Sequence, residues 1–206
     1  SKPFIKIPPE IEIKVLIPTK EQQDIITTAK TGANVAIHAF AGTGKTSLCT
    51  LVAKTLIKPS LYVAFNKSIA EEASSKFPQH VECRTIHSLA YRAIVNGAMR
   101  LRLQGFFDLK DLDYMYISHI EEGKRLDTKY KAIELVKLFC QSAATDIVDF
   151  AKVLEDYTPT EYHLADLFWK DIAKEHSKVK ITHDVYLKLY QLSNPILPYD
   201  VIYLDE

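Results

Sequence analysis

Two short stretches of this 206-residue chain hold the residue types that handle phosphate: the loop Ala39-Phe40-Ala41-Gly42-Thr43-Gly44-Lys45-Thr46 and the acidic pair Asp205-Glu206. Gly42 and Gly44 let the backbone bend so that successive N–H groups point inward at an anion. The positive end of a following helix adds to the same site. In the pattern G-x-x-x-x-G-K-[ST], Lys45 reaches the β- and γ-phosphates of ATP as a point charge, and the Thr46 hydroxyl ligates Mg²⁺. Ala39 stands where the pattern has its first glycine, so the match is one residue short. Ala41, Gly42, Thr43, Gly44, Lys45, Thr46 and Ser47 are the expected nucleotide-binding residues. A glycine-rich turn that merely caps a helix would leave Lys45 unexplained. At the other end of the chain, Asp205 is expected to hold Mg²⁺, directly or through water, and Glu206 to polarise the attacking water as general base. The plain alternative is two solvated carboxylates at a strand end.

The elements that must position these groups are legible as a rhythm. Residues 1–18 hold Pro3, Pro8, Pro9 and Pro18 among β-branched residues, which suggests an extended lead-in. Thr19 with Gln22 three residues on reads as a capping box, opening a helix to about Lys30. Val35–Ala39 is a first strand, followed by the loop and a helix from Ser47 to Lys58, stopped by Pro59-Ser60. Leu61–Phe65 is a second apolar run of strand length, and Lys67–Phe77 a helix with Ile69, Ala70 and Ala73 inward. Val81–Thr85 is a third strand, and 86–96 a helix. Such alternation argues an α/β fold, a parallel sheet with helices on both faces. From 98 to 178 strand-like runs are few. Ala132, Leu135, Val136, Phe139 and Cys140 recur at helical spacing, as do Ile147, Phe150, Ala151 and Leu154, with breaks at Gly123 and Pro159. This is an inserted helical subdomain, with Trp169 in its core and Arg100 and Arg102 expected on a solvated face. A helix at 185–192, with Tyr186 and Tyr190 packing, and a buried strand at 201–204 complete the chain. The expected division is 1–97, the first part of the sheet domain; 98–178, the insertion; and 179–206, the return to the sheet.

Composition is that of an ordinary globular chain, 47% hydrophobic and 25% charged. No apolar run spans a bilayer, and Lys2, Lys6, Glu10, Glu12 and Lys14 interrupt any secretory signal, so no membrane partner is expected. Cys49, Cys83 and Cys140 are widely spaced without C-x-x-C pairing, which reads as thiols of an intracellular, reducing compartment, cytoplasm or nucleus. Seven scattered histidines form no metal motif. Net charge is zero, yet residues 1–96 carry 12 Lys and Arg against 7 Asp and Glu. The excess falls on the segment holding the phosphate loop, as a phosphate-backbone track would need.

Taken in order, these pieces resemble superfamily 1 helicases of the UvrD/Rep type, and most of all the F-box DNA helicase branch. The segments that carry the resemblance are Pro18–Gln23, Ala39–Thr46, Tyr62–Ala70, Thr85–Tyr91, Ile181–Leu189 and Asp205-Glu206. The insert matches only in position and helical character. The resemblance implies a RecA-like P-loop motor domain, ATP and Mg²⁺ as cofactors, and single-stranded DNA as partner. It implies that Gln22 reads adenine, since an amide donates and accepts at once; Gln23 is the neighbouring alternative. It implies that Phe65, Asn66 and Lys67 grip single-stranded DNA, the ring by stacking and the polar groups by phosphate or sugar contact. Phe65 as a core strand residue and Asn66 as a helix cap are the alternatives. Thr85 and His87 resemble a further DNA-binding motif. By resemblance, a second RecA-like domain closes on ATP and supplies arginines worth roughly 10³–10⁵ in rate, from motifs beyond residue 206. The acidic pair is expected to run on into Ala-Gln-Asp or a similar tail. The chain is therefore expected to be the first motor domain of a 3′ to 5′ translocase, and inactive alone. Two other classes fit the P-loop: an ATPase serving a nuclease or remodelling machine, and a non-catalytic nucleotide- or DNA-binding module.

Overall fold

The computed structural model describes residues 18–37, 44–113, 115 and 117–204. Among them a three-stranded sheet is formed by β1 (Ser60–Ala64), β2 (Val81–Thr85) and β3 (Val201–Leu204), ordered β2-β1-β3. Both pairings are parallel, with Ala64 opposite Thr85 and Val63 opposite Leu204. All three strands therefore end on one edge of the sheet. Fully buried Leu61 and Tyr62 make β1 the centre. Of the expected strand at 35–39, Val35–Ile37 are described and make no strand pairing, whereas His38 and Ala39 lie outside the described residues. The extended lead-in also lies outside, apart from Pro18.

Helix α1 (Lys20–Lys30) opens on the expected capping box: Gln22 N–H donates to Thr19 Oγ1, and Thr19 N–H donates to Gln22 Oε1 at 3.0 Å. Helix α2 (Lys45–Thr55) begins two residues earlier than the sequence suggests and stops three earlier. Its early end has a visible cause. His80 Nε2 stands 3.0 Å from the Ala53 carbonyl and 3.1 Å from that of Leu56, so a ring N–H takes up carbonyls that a longer helix would have used. Helices α3 (Lys67–Lys76) and α4 (Ile86–Ile94) follow β1 and β2 directly, capped by Asn66 and Thr85. Ile26, Leu48, Val52, Tyr62, Ala70, Ala73, Phe77 and Tyr203 make one apolar core between helices and sheet.

The second core is helical. It is built from α5 (Gly97–Arg102), a 3-10 turn at Leu109–Leu112, α6 (Glu122–Gln141), α7 (Ile147–Leu154), α8 (Pro159–Ile172) and α9 (His183–Leu192). The inward stripe of α6 is the one the periodicity marks: Ala132, Leu135, Val136, Phe139 and Cys140 are all buried. Trp169 meets the Phe139 ring edge-on at 5.3 Å. Helix α4 joins this core through Ala90, and α9 through Val185, Tyr186 and Tyr190, so the core reaches past both ends of the 98–178 stretch.

Arg102 corrects the expectation of a solvated face. It is 5% exposed, and its guanidinium donates to three backbone carbonyls: Val179 at 2.7 Å, Lys174 at 2.8 Å and Ile172 at 2.8 Å. Helix α8 ends at Ile172 and leaves carbonyls without intrahelical partners; a flat fork of N–H donors is the side chain that can serve several at once. Arg100, two residues before, is exposed as expected. Lys188 is likewise fully buried. It donates to Gln191 Oε1 and to the carbonyls of Ser142 and Ala144, and its Nζ lies 4.0 Å from the centre of the Phe139 ring.

Burial shapes the response of these cores to alkali. It pushes the Cys140 thiol up to about 12, aided by the Asp184 carboxylate and opposed by Lys188. Burial likewise raises the Tyr203 phenol to about 12. Both acids keep their protons in the folded chain at a pH where the unfolded chain has lost them. The stability they contribute is complete below about pH 8 and is lost as pH rises toward 12. Lys188 opposes this, because burial lowers its pKa and its contribution therefore grows as pH rises into its ordinary range. The expected net result of a melting series from pH 8 upward is a falling midpoint. Cys140→Ala should flatten the fall, and an equally steep profile in that variant would count against the assignment.

Candidate functional site

Gly44 sits at the N-cap of α2 with φ +84 and ψ 31, in the left-handed region. A Cβ there would meet nothing closer than 3.8 Å, so glycine is required by backbone conformation and not by space. Lys45, Thr46 and Ser47 then form the first turn of α2, which contains no acidic residue. The N–H groups and positive dipole end of this turn, with Lys45, suit an anion. That set fits the phosphates of a nucleotide. Ala41, Gly42 and Thr43, and equally Asp205 and Glu206, lie outside the described residues.

The surroundings of the turn are described. A cavity of about 470 Å³ is lined by Lys45, Cys49 and Val52 of α2, Ile25 and Ala29 of α1, and Ile202 and Leu204 of β3. Lys45 and Leu204 thus share one cavity, and the acidic pair follows Leu204 in sequence. Parallel α/β sheets bind ligands outside the carboxyl ends of their strands, and α2 presents Lys45 on that side. Gln22 is half-buried on α1, with its amide oxygen already accepting from Thr19. The capping bond fixes the side chain and leaves the amide N–H₂ group as its donor.

The second set of residues converges on the same edge. Phe65 follows β1 and is 76% exposed, which removes the alternative of a core strand residue. Asn66 is the N-cap of α3, its Oδ1 accepting from Ile69 N–H at 2.9 Å. Lys67 is exposed and pairs with Glu71 at 3.6 Å, a contact worth little in water. Thr85 caps α4, its Oγ1 accepting from Ser88 N–H at 3.1 Å. His87 packs edge-on against Tyr186 of α9 at 6.2 Å. Because Ala64 and Thr85 are register partners, Phe65-Asn66-Lys67 and Ile86-His87 emerge side by side. The capping roles of Asn66 and Thr85 leave Phe65, Lys67 and His87 as the side chains whose presence local structure does not explain.

Sequence reasoning passed over a polar cluster that ties β2 to its neighbours, toward the ends at which the strands begin. Glu82 of β2 binds Arg84 at 2.7 Å, Arg92 of α4 at 3.3 Å and the hydroxyl of Tyr199. The Tyr199 hydroxyl and then Arg84 hold the Glu82 carboxyl below its ordinary range, against burial, which raises it. The cluster joins β2, α4 and the segment entering β3. The signal was the i,i+2 pair Glu82 and Arg84, which period-two alternation puts on one face of the strand.

Among the described residues no cluster of His, Cys, Asp or Glu could hold a metal, and no helix is long and apolar enough to cross a membrane. No disulfide links the three cysteines. No protein-family model matches the chain, and no solved structure matches it significantly. Curated relatives do, among them two F-box DNA helicases. The chain is 34% identical to F-box DNA helicase 1 of Gallus gallus over 209 aligned positions, which take in 91% of this chain and 21% of the chicken protein. It is 46% identical over 82 residues to F-box DNA helicase protein 1 of Schizosaccharomyces pombe, covering 39% of this chain and 9% of that protein. The chain thus spans about a fifth or less of the length of these relatives. Over the segment it spans, the chain belongs to the F-box DNA helicase branch.

Proposed function

We propose that this chain is the nucleotide-binding, RecA-like first motor domain of an ATP-dependent translocase on single-stranded DNA, running 3′ to 5′ as the resemblance implies. The observation that carries the reading is the convergence on one sheet edge of an anion-binding helix start at Gly44-Lys45 and an exposed Phe65 beside His87. Two relatives named DNA helicases support it. Lys45 and the first turn of α2 bind phosphate, Thr46 and Asp205 hold Mg²⁺, Gln22 meets adenine, and Glu206 takes the proton of the attacking water. Bound Mg²⁺ neutralises charge building on the phosphates. A second motor domain completes the cleft and supplies arginines to it. Phe65 stacks on a base while Asn66, Lys67, Thr85 and His87 meet the strand's backbone.

The separable test of this arrangement is single-strand binding by Phe65→Ala. Stacking is worth about 1–3 kcal/mol per base, so affinity should fall roughly tenfold or more. Phe65 is exposed, so the melting midpoint should stay put. Unchanged affinity would contradict the stacking role.

A further inference from the structure

Beyond His87 the line of rings continues. Tyr186, against which His87 packs, meets Tyr91 edge-on at 5.7 Å, and the guanidinium carbon of Arg100 lies 5.9 Å from the centre of the Tyr91 ring. His87 and Tyr91 are one turn apart on α4, so the line leads from the sheet edge onto α5. Arg100 is exposed and, among the described residues, makes no ion pair. The contrast with Arg102 two positions on is informative, since that side chain spends its donors on three buried carbonyls. Arg100 instead stays exposed to solvent. A guanidinium held over an aromatic ring is already positioned to meet a base or to grip a phosphate.

The neighbouring cations extend the feature. Lys180 is exposed, with Nζ 3.4 Å from the Leu101 carbonyl, and Lys178 is exposed two residues before it. The acids nearby are Asp111, which Lys180 influences, and Glu175, which accepts from the Asn96 amide at 3.0 Å. Arg100 and Lys180 thus stand close together, Lys180 against the carbonyl of the residue that follows Arg100.

We propose that single-stranded DNA gripped at Phe65 and His87 runs on across the insert, over Arg100 beside Tyr91, with Lys180 on its backbone. The inference rests on the single-strand reading of the sheet edge. It assigns the start of the insert a part in holding the strand, with Arg100 as the first contact beyond the sheet domain.

The test is fluorescence anisotropy of the full-length protein with a labelled oligothymidylate of about 16 nucleotides, the upper range for one binding fold, repeated across a salt series. Arg100→Ala should weaken binding about fivefold to tenfold and lower the salt slope by about 1, with nucleotide affinity unchanged. Arg100→Lys should restore the slope but not the full affinity, because it keeps the charge and loses the plane. Lys180→Ala gives a second slope change, independent of any effect on packing at Tyr91. If Arg100→Ala and Lys180→Ala bind as the parent does while Phe65→Ala is weakened, the track is overturned and the sheet-edge reading stands. If the parent itself binds no single strand, the sheet-edge reading fails and the track with it.

Discussion

Lys45→Ala in the full-length protein is expected to lower nucleotide affinity between tenfold and about a hundredfold and to bring ATP turnover to background. A hydrogen bond to a charged partner contributes about 1.5–3 kcal/mol, and each 1.4 kcal/mol is a factor of ten in affinity. Turnover suffers more, since the same charge faces the phosphates as negative charge develops on them. The structure adds a control. Lys45 is the first residue of α2, where the positive end of the helix dipole disfavours a cation. Alanine is the best helix former and offsets the contacts that the lysine side chain makes, so the unliganded melting midpoint should move little. Loss of activity without loss of stability is the signature of a residue kept for binding. A midpoint lowered by several degrees, or turnover within a factor of two of the parent, would contradict that assignment.

Arg102→Ala is expected to cost about 3–5 kcal/mol of folding stability, since each buried acceptor left without its donor costs about 1–3 kcal/mol. Three carbonyls, of Ile172, Lys174 and Val179, lose their donor together, and the side chain leaves a void at the junction of α5, α8 and the segment entering α9. A domain holds only about 5–15 kcal/mol in all, so the helical core should unfold at markedly lower denaturant. Arg102→Lys should recover only part, because an ammonium cannot span three acceptors. Urea titration followed by near-UV circular dichroism of Trp169, buried in that core, reports the change. A shift below about 1 kcal/mol would mean that the three contacts are not formed.

The difference between these two arginine and lysine sites shows where a sequence speaks and where it is silent. Lys45 is legible because glycine spacing and a following helix place it where a phosphate-binding loop has its lysine. Arg102 and Lys188 are not, because charged residues belong on the surface by default and only tertiary packing reveals carbonyls in need of donors. The signal that would have flagged Arg102 is local: Met99 and Arg102 stand three apart on one face of α5, and both are buried. The strands at β1 and β3 followed from continuous apolar runs, and the capping box at Thr19 and Gln22 from side-chain chemistry. Phe65 sits one residue past the end of β1, where periodicity cannot distinguish a buried strand residue from an exposed one. At Asn66 and Thr85 the capping duty alone accounts for the side chain. The limits of α2 were misjudged because His80, 27 residues from Ala53, ends it from across the fold.

The central claim is a nucleotide site coupled to a single-strand site on one sheet edge. Its most direct test is the rate of ATP hydrolysis by the full-length protein with and without single-stranded DNA, with Lys45→Ala as the blank. The rate is expected to rise manyfold with DNA, to vanish in Lys45→Ala and to lose most of its DNA dependence in Phe65→Ala. Hydrolysis that depends on Lys45 but ignores DNA would contradict it and leave the phosphate loop serving another machine.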